Sequence, residues 1–253
     1  MTIAFLFISL FGLMLIGVPV AVSLGASTVL TMLLFTDLDV AAMPQLIFDG
    51  INKFALMAIP MFILAGNLLS KGGSARRIID FAKSMVGHLP GGLPMSAIFA
   101  CVIFAAVSGS SPATVVAIGS IMFVAIKEAG YPKEYAVGGI TTAGSLGILI
   151  PPSVVMIVYG VTAEVSIAQL FMAGVVPGLM LGGMMIAQTY FGAKRLGFKA
   201  TTPEPWSERI KKFFRAFWAL LIVVVVIGGI YGGIFTPTEA AAASAIYALI
   251  ISL

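Results

Sequence analysis

Two long segments without Asp, Glu, Lys, Arg or His constrain this chain more than any other feature of its sequence. They are residues 94–126 and 135–161. Apolar stretches of this length are typical of helices embedded in a membrane. Each segment also contains a cluster of glycine, serine and proline, which interrupts a helix. Broken backbone at bilayer depth must be buried in protein or line a polar cavity, so the two breaks mark where a solute is expected to bind.

The composition predicts an all-α integral membrane protein with several spans. Hydrophobic residues make up 60% of the 253 residues and charged residues 9%, whereas about 25% of a soluble domain is charged. The apolar runs are long enough for helices rather than barrel strands. The single cysteine, Cys101, excludes an internal disulfide and a cysteine metal cluster.

The apolar run at the N terminus leaves two topologies open. Residues 3–35 exceed the length needed to cross a core of about 30 Å, and a Gly-Val-Pro sequence at residues 17–19 interrupts them. The run is therefore either one long kinked helix or two short legs. The loop that follows is acidic, with Asp37, Asp39 and Asp49, and is predicted to be external.

Basic residues locate the cytoplasmic side, because Lys and Arg are enriched in short cytoplasmic loops. Residues 194–215 carry a clear excess of Lys and Arg over Glu. Residues 71–83 combine an apolar face with basic residues on the opposite face, which resembles an amphipathic helix at the cytoplasmic interface. A solvated loop helix is the alternative there.

The two breaks predict a re-entrant helical hairpin followed by a broken helix. Each leg of residues 95–126 is only about 22 Å long as a helix, too short to cross comfortably, so a hairpin entering from the cytoplasm fits best. The second break lies at residues 144–153, inside the apolar run 135–161. The Thr-Pro-Thr-Glu sequence at residues 236–239 is predicted to cap a last apolar helix. Because this apolar helix runs to Leu253 without a polar end, the sequence is expected to be a piece of a longer chain.

Broken helices present both kinds of partial charge to a ligand. Carbonyl groups at the C-terminal end of a leg favour a cation, and N–H groups at the start of the next leg favour an anion. The anion-facing ends point to Ser111, Thr114, Pro152 and Ser153 as predicted substrate contacts. Because both segments lack ionisable groups, Na⁺ is favoured over H⁺ as a coupling ion. Packing kinks are the alternative, since small residues also allow close contact between membrane helices.

Several stretches together resemble one transporter family. They are GVPVA at residues 17–21, IPMFILAG at 59–66, SGSSPAT at 108–114, GILIPPS at 147–153 and TPTEAA at 236–241. In this order the chain resembles the dicarboxylate-type M subunit, the large membrane subunit of the tripartite ATP-independent periplasmic (TRAP) transporters. That subunit is considerably longer than 253 residues, in agreement with the abrupt end of this sequence.

The resemblance implies a multi-pass protein of the bacterial inner membrane that works as an elevator. Residues 94–161 would form the moving transport domain, and residues 1–93 and 162–253 would supply scaffold helices. The implied partners are a small four-helix membrane subunit and a periplasmic substrate-binding protein, with no nucleic acid. The substrates would be organic acids such as C4-dicarboxylates or sialic acids, imported with Na⁺ and without an organic cofactor or enzymatic step.

A first sodium site follows from the same resemblance. Its residues would come from the hairpin tip and from the second break: Ser108, Gly109, Ser110, Ser111, Gly144, Gly147 and Pro151.

Three other functions fit the same residues. A single-component sodium–dicarboxylate symporter has a similar hairpin and broken helix. A purely structural or channel-like membrane subunit would use the breaks as packing kinks. An ATP-driven permease with a separate ATPase subunit would leave no nucleotide-binding motif in this chain.

Overall fold

Helices account for every regular element that the structure describes. The structure, a computed structural model, describes residues 1–36 and 39–252, so two positions named above, Asp37 and Leu253, lie outside the described residues. The described chain forms two compact units, Met1–Lys53 and Phe54–Leu253. The predicted all-α fold is therefore confirmed, whereas the functional boundaries at 93/94 and 161/162 fall inside the second unit and stay predictions.

The first unit settles the topology of the N-terminal run. Helix α1 spans Thr2–Leu15 and helix α2 spans Val20–Phe35. The chain turns between them at Gly17, whose φ of 89° is a left-handed conformation that glycine adopts without strain. The ring centroids of Phe5 and Phe35 lie 5.0 Å apart. The start of α1 therefore meets the end of α2, and the run is two short legs rather than one long helix.

The segment predicted as an acidic loop contains a further helix. A 3₁₀ turn at Val40–Ala42 leads directly into α3, Met43–Ile51. Asp39 caps that turn by accepting a hydrogen bond from the backbone N–H of Ala41 at 2.9 Å. The prediction of a loop was wrong here because the apolar residues between the aspartates recur with the period of a helix rather than at random.

The described residues of the second unit form ten α-helices. A 3₁₀ turn at Phe54–Met57 precedes α4, so the sequence Ala-Ile-Pro at residues 58–60 begins this helix and does not kink it. The helices are α4 Ala58–Lys71, α5 Ser74–Val86, α6 Gly92–Ser108, α7 Ser111–Glu128, α8 Lys133–Gly144, α9 Leu146–Leu149, α10 Val154–Thr162, α11 Ile167–Arg195, α12 Trp206–Tyr231 and α13 Pro237–Ser252.

Four segments of this unit are long and apolar enough to cross a membrane, or five if the bent pair around the second break counts as one span. The four are Phe54–Lys71, Ser111–Glu128, Ile167–Arg195 and Trp206–Tyr231. Helix α11 continues through Pro177 without interruption. Helix α12 begins at Trp206, which brings much of the predicted basic loop into the helix itself.

Helix α6 lies at the centre of the second unit and is buried along almost its whole length. Helices α5, α7, α8, α9, α11 and α12 all contact it. Its small residues, including Ala97, Ala100 and Ala105, let these neighbours approach closely. A charged side chain would be costly at such a position, and the helix carries none; its two buried serines, Ser96 and Ser108, are hydrogen-bonded within the protein.

Helix α5 is amphipathic, as its sequence predicts. Ile78, Ile79 and Ala82 are buried, while Arg76 and Arg77 are exposed. The apolar face packs against α6 and α12, so protein rather than lipid covers it. Its location at the cytoplasmic interface stays a prediction.

A matched pair of substitutions on α7 tests this packing. Ile118 is fully buried, whereas Val116 on the same helix is 68% exposed. We expect Ile118→Ala to destabilise the protein by about 2–5 kcal/mol, because it removes buried methyl groups and leaves a cavity. Val116→Ala should change stability by only about 0.5 kcal/mol. Thermal unfolding of the full-length protein in detergent measures both, and equal effects would contradict the packing described.

Candidate functional site

The first break is a tight reversal between α6 and α7. Helix α6 ends at Ser108 and α7 begins at Ser111. Gly109 has a φ of 60° and Ser110 is extended, and Pro112 occupies the first turn of α7, where its missing N–H costs nothing. The two helices pack against each other. The sequence Ser-Gly-Ser-Ser-Pro therefore forms the tip of a helical hairpin, as predicted. Its second leg, α7, is long enough to cross a membrane, contrary to the predicted short leg, and the re-entrant course of the hairpin stays a prediction.

Two buried hydroxyl groups close the inside of the tip. The Oγ of Ser108 and the Oγ1 of Thr114 lie 2.9 Å apart, and Thr114 Oγ1 also donates to the carbonyl of Ser110 at 2.9 Å. Both side chains are almost completely buried. The predicted substrate contact at Thr114 would therefore require this pair to open.

The second break lies between α9 and α10, where the helix axis bends by 42°. The amide of Ile150 still bonds to the carbonyl of Leu146 at 2.8 Å. The next two residues are Pro151 and Pro152, which have no N–H to offer the carbonyls of Gly147 and Ile148. The break is thus encoded by two prolines that leave helix C-terminal carbonyls without their usual donors.

Ser153 starts the helix that follows the second break. Its Oγ accepts a hydrogen bond from the N–H of Met156 at 3.4 Å, and the residue is fully buried. This is the geometry of an N-cap. The hydroxyl can still donate its own hydrogen, so the obstacle to the predicted role of Ser153 as a substrate contact is its complete burial.

The two breaks touch each other directly. The N–H of Val154 donates to the carbonyl of Gly109 at 3.0 Å. A Cβ added at Gly109 would lie 2.6 Å from the carbonyl oxygen of Pro152, and one added at Gly147 would lie 2.9 Å from the backbone N of Ser111. Only glycine leaves room for backbones this close. The structure therefore brings together the two elements that the sequence predicts as one site.

Gly144 lies six residues before the interrupted stretch and faces the first turns of α7. A Cβ there would come within 2.0 Å of Val115 Cγ2 and 3.4 Å of the Ser111 carbonyl oxygen. The residue ends α8, and only Ser145 separates it from α9. Its backbone is thus close to the hairpin, but it lies outside the interrupted stretch 150–153, which is narrower than the predicted break at 144–153.

Three glycines outside the predicted site allow two further helices, α4 and α11, to contact the breaks closely. A Cβ at Gly66 of α4 would lie 3.0 Å from Ser108 Cα, one at Gly174 of α11 would lie 2.4 Å from the Leu149 carbonyl oxygen, and one at Gly178 would lie 2.6 Å from the Ile150 side chain. None was predicted as part of the site. The spacing of four residues between the two glycines of α11 places them on one helix face, and this was the available signal.

Four helix ends converge at this contact, and the charges they present are the partial charges of backbone N–H and C=O groups. Helices α6 and α9 end here, while α7 and α10 begin here. The C-terminal ends carry partial negative charge and the N-terminal ends partial positive charge. Within the described residues, no cluster of His, Cys, Asp or Glu suited to a metal ion is found. The arrangement can offer neutral oxygens to a cation and N–H groups to an anion.

The hydroxyl groups at the site fall into two classes. Those of Ser108, Thr114 and Ser153 are buried and bonded within the protein. Those of Ser110 and Ser111 belong to partly buried residues, and no hydrogen bond to another described residue engages them. Ser110 and Ser111 are therefore the serines best placed to meet a ligand.

The last predicted motif forms a helix cap. Glu239 accepts hydrogen bonds from the backbone N–H and the hydroxyl of Thr236, at 2.8 and 2.9 Å, and its own N–H donates to Thr236 Oγ1 at 3.3 Å. This reciprocal pair is a capping box at the start of α13. The predicted capping role is confirmed.

Comparison with known proteins assigns the family. A family described as "Tripartite ATP-independent periplasmic transporter, DctM component" matches residues 7–253. The chain belongs to this family. The C4-dicarboxylate TRAP transporter large permease protein DctM of Vibrio cholerae is 49% identical over 253 residues, which are 100% of this chain and 56% of that protein. The protein of the same name from Rhodobacter capsulatus is 49% identical over 96% of this chain and 59% of its own length.

A third relative extends the family to another substrate. The isethionate TRAP transporter permease protein DctMQ of Oleidesulfovibrio alaskensis is 45% identical over 94% of this chain and 38% of its own length. The chain thus spans little more than half of the DctM relatives and less of the DctMQ protein. These relatives are transporter permeases rather than enzymes, and together with the apolar helices they indicate a multi-pass membrane protein.

Close contact at Gly147 gives a second testable prediction. We expect Gly147→Ala to lower the melting temperature of the full-length protein in detergent, because the new Cβ would collide with the Ser110–Ser111 backbone. Gly138→Ala on α8 is the matched control, since a Cβ there meets nothing within 4 Å. Replacing glycine by alanine in an open helical position should leave the stability equal or slightly higher. A destabilised control with an unaffected Gly147→Ala variant would contradict the contact.

Proposed function

We propose that this chain belongs to the large membrane subunit of a sodium-coupled TRAP transporter that imports organic acids across the bacterial inner membrane. The observation that carries the proposal is the contact between two interrupted helices in a region without ionisable side chains. Family membership supports the transport role. The names of the two DctM relatives favour a C4-dicarboxylate as the substrate.

Sodium is the cation that this chemistry favours. Ends of interrupted membrane helices coordinate Na⁺ in transporters through backbone carbonyls and hydroxyls. Here the carbonyls of Val107 and Ser108 at the end of α6 lack a backbone donor among the described residues, and those of Gly147 and Ile148 precede two prolines. A proton-coupled carrier would need a titratable group, which both segments lack.

The substrate end of the site is formed by the starts of α7 and α10. The first N–H groups of a helix have no intrahelical partner and attract an anion. Sodium bound to the neighbouring carbonyls would neutralise their partial negative charge and fix the tip. The carboxylate of an organic acid would then approach Ser111 and the start of α10 at a lower electrostatic cost, which couples the two ligands.

Two partners complete the proposed assembly. One is a small four-helix membrane subunit, and the name DctMQ of one relative supports a close association between the two membrane components. The other is a periplasmic protein that delivers the substrate. We further propose an elevator motion, in which the hairpin and the broken helix move together because they share backbone contacts at Gly109 and Gly147.

Uptake into proteoliposomes tests the proposal. The full-length subunit, its small membrane partner and the binding protein are reconstituted, and uptake of labelled succinate is measured with an inward gradient of Na⁺ or of K⁺. We expect uptake with Na⁺ alone, and no loss when a protonophore collapses the pH gradient. Uptake that is equal with K⁺ would contradict sodium coupling. Uptake without the binding protein would support a single-component symporter. A requirement for ATP would support an ATP-driven permease.

Two serine substitutions, one at the hairpin tip and one further along α7, test the site itself. We expect Ser110→Ala to raise the Na⁺ concentration needed for half-maximal uptake by about tenfold, which corresponds to a loss of about 1.4 kcal/mol when one oxygen ligand of the cation is removed. Ser120→Ala is the control, because that hydroxyl is exposed and bonds only to the Ala117 carbonyl at 3.2 Å. An identical Na⁺ dependence of both variants would exclude the Ser110 hydroxyl from the cation site.

A further inference from the structure

Ser108 and Thr114 form a closed ring of hydrogen bonds around the backbone of Ser110. The amide of Ser110 lies 3.5 Å from Ser108 Oγ, Ser108 Oγ lies 2.9 Å from Thr114 Oγ1, and Thr114 Oγ1 lies 2.9 Å from the carbonyl of Ser110. Two directions satisfy every donor, and in both the Ser110 N–H donates to Ser108 Oγ. In the first, Ser108 donates to Thr114 and Thr114 donates to the Ser110 carbonyl at 2.9 Å; in the second, Thr114 donates to Ser108 and Ser108 donates to the Ser110 carbonyl at 3.4 Å. The first direction uses the shorter contacts.

The ring fixes both peptide groups that flank Ser110. Its carbonyl also receives the N–H of Thr114 at 3.0 Å, so this oxygen is fully engaged and turned into α7. The ring lies where water does not reach, since Ser108 is 1% and Thr114 0% exposed. Hydrogen bonds in such a chain reinforce one another at low dielectric. The orientation of the Ser110 side chain therefore depends on two hydroxyls that are themselves buried.

The sequence predicts ligand contacts for all the hydroxyl residues of the hairpin tip. The structure separates hydroxyls that hold the backbone from a hydroxyl that can face a ligand. We propose that Thr114 and Ser108 are positioning residues, which hold the Ser110 peptide so that the Ser110 hydroxyl and the carbonyls at the end of α6 face the cation. Neither hydroxyl is itself a ligand of the cation or of the substrate. The inference rests on the proposed sodium coupling and assigns Thr114 to the control of that site.

The geometry gives this role a direct link to the second break. The residue preceding Ser110 is Gly109, whose carbonyl accepts the N–H of Val154. A change in the Ser110 peptide therefore shifts the contact that joins the hairpin to α10. Loss of the Thr114 hydroxyl would leave the buried Ser108 hydroxyl with only the long contact to the Ser110 carbonyl, at 3.4 Å, and so weakly bonded a group costs free energy until the tip rearranges.

The experiment compares Thr114→Val, which keeps the shape and removes the hydroxyl, with Thr114→Ser, which keeps the hydroxyl. We expect Thr114→Val to raise the half-saturating Na⁺ concentration for uptake about tenfold, while the KM for succinate at saturating Na⁺ stays within about twofold of the wild-type value. Thr114→Ser should restore the Na⁺ dependence. The shift of melting temperature caused by NaCl, relative to KCl, reports the same site in the purified protein without transport.

Ser96→Ala is the matched control for loss of a buried hydroxyl. Ser96 lies near the start of α6, is fully buried, and donates to the carbonyl of Gly92. We expect it to lower the melting temperature without changing the Na⁺ dependence. If Thr114→Val does not fold, Ser108→Ala tests the same ring, since Thr114 can still donate to Ser110, and we then expect a smaller rise of about threefold.

The outcomes distinguish this inference from the proposed function. Wild-type uptake that ignores Na⁺ would overturn the sodium coupling itself. Sodium-dependent wild-type uptake with an unchanged half-saturating Na⁺ concentration in Thr114→Val, or in Ser108→Ala, would overturn the positioning role alone. A higher succinate KM at saturating Na⁺ with an unchanged Na⁺ dependence would identify Thr114 as a direct substrate contact, and Thr114→Ser behaving like Thr114→Val would assign the effect to the methyl group.

Discussion

The hydrogen bond from Val154 N–H to the Gly109 carbonyl is the contact on which the rest of the site depends. It joins two interrupted backbones that would otherwise expose unpaired polar groups in an apolar protein. The bond is possible because Gly109 and Gly147 allow the chains to approach within distances that a Cβ would prevent. The glycines, prolines and serines at the two breaks therefore act as one structural unit.

Around this contact the described helices pack closely and present no charged side chains. Helix α6 is buried among its neighbours, and Gly66, Gly174 and Gly178 bring α4 and α11 against the breaks. Among the residues that the structure describes, the electrostatic features at the site are the ends of helices and a few hydroxyls. Such an arrangement can distinguish ligands only by the geometry of neutral dipoles.

Much of the fold was predictable because the signals are local. Long uncharged runs predict membrane helices, and the Ser-Gly-Ser-Ser-Pro and Pro-Pro-Ser sequences predict the breaks and the helix starts that the structure shows. The capping box at Thr236 and Glu239 was predictable for the same reason. Helix α3 was missed because the aspartates near it suggested a loop, and the N-terminal run stayed ambiguous because a Gly-Val-Pro sequence permits both a kink and a turn.

The sequence by itself determined where the helices break, which residues could cap them, and that neither broken segment contains an ionisable residue. Only the tertiary structure decided which polar groups remain for a ligand. Ser108, Thr114 and Ser153 look equivalent to Ser110 and Ser111 in the sequence, yet the first three are buried in internal hydrogen bonds. The reason is physical: a hydroxyl binds whichever partner folding places within about 3 Å, and that partner depends on how the chain packs.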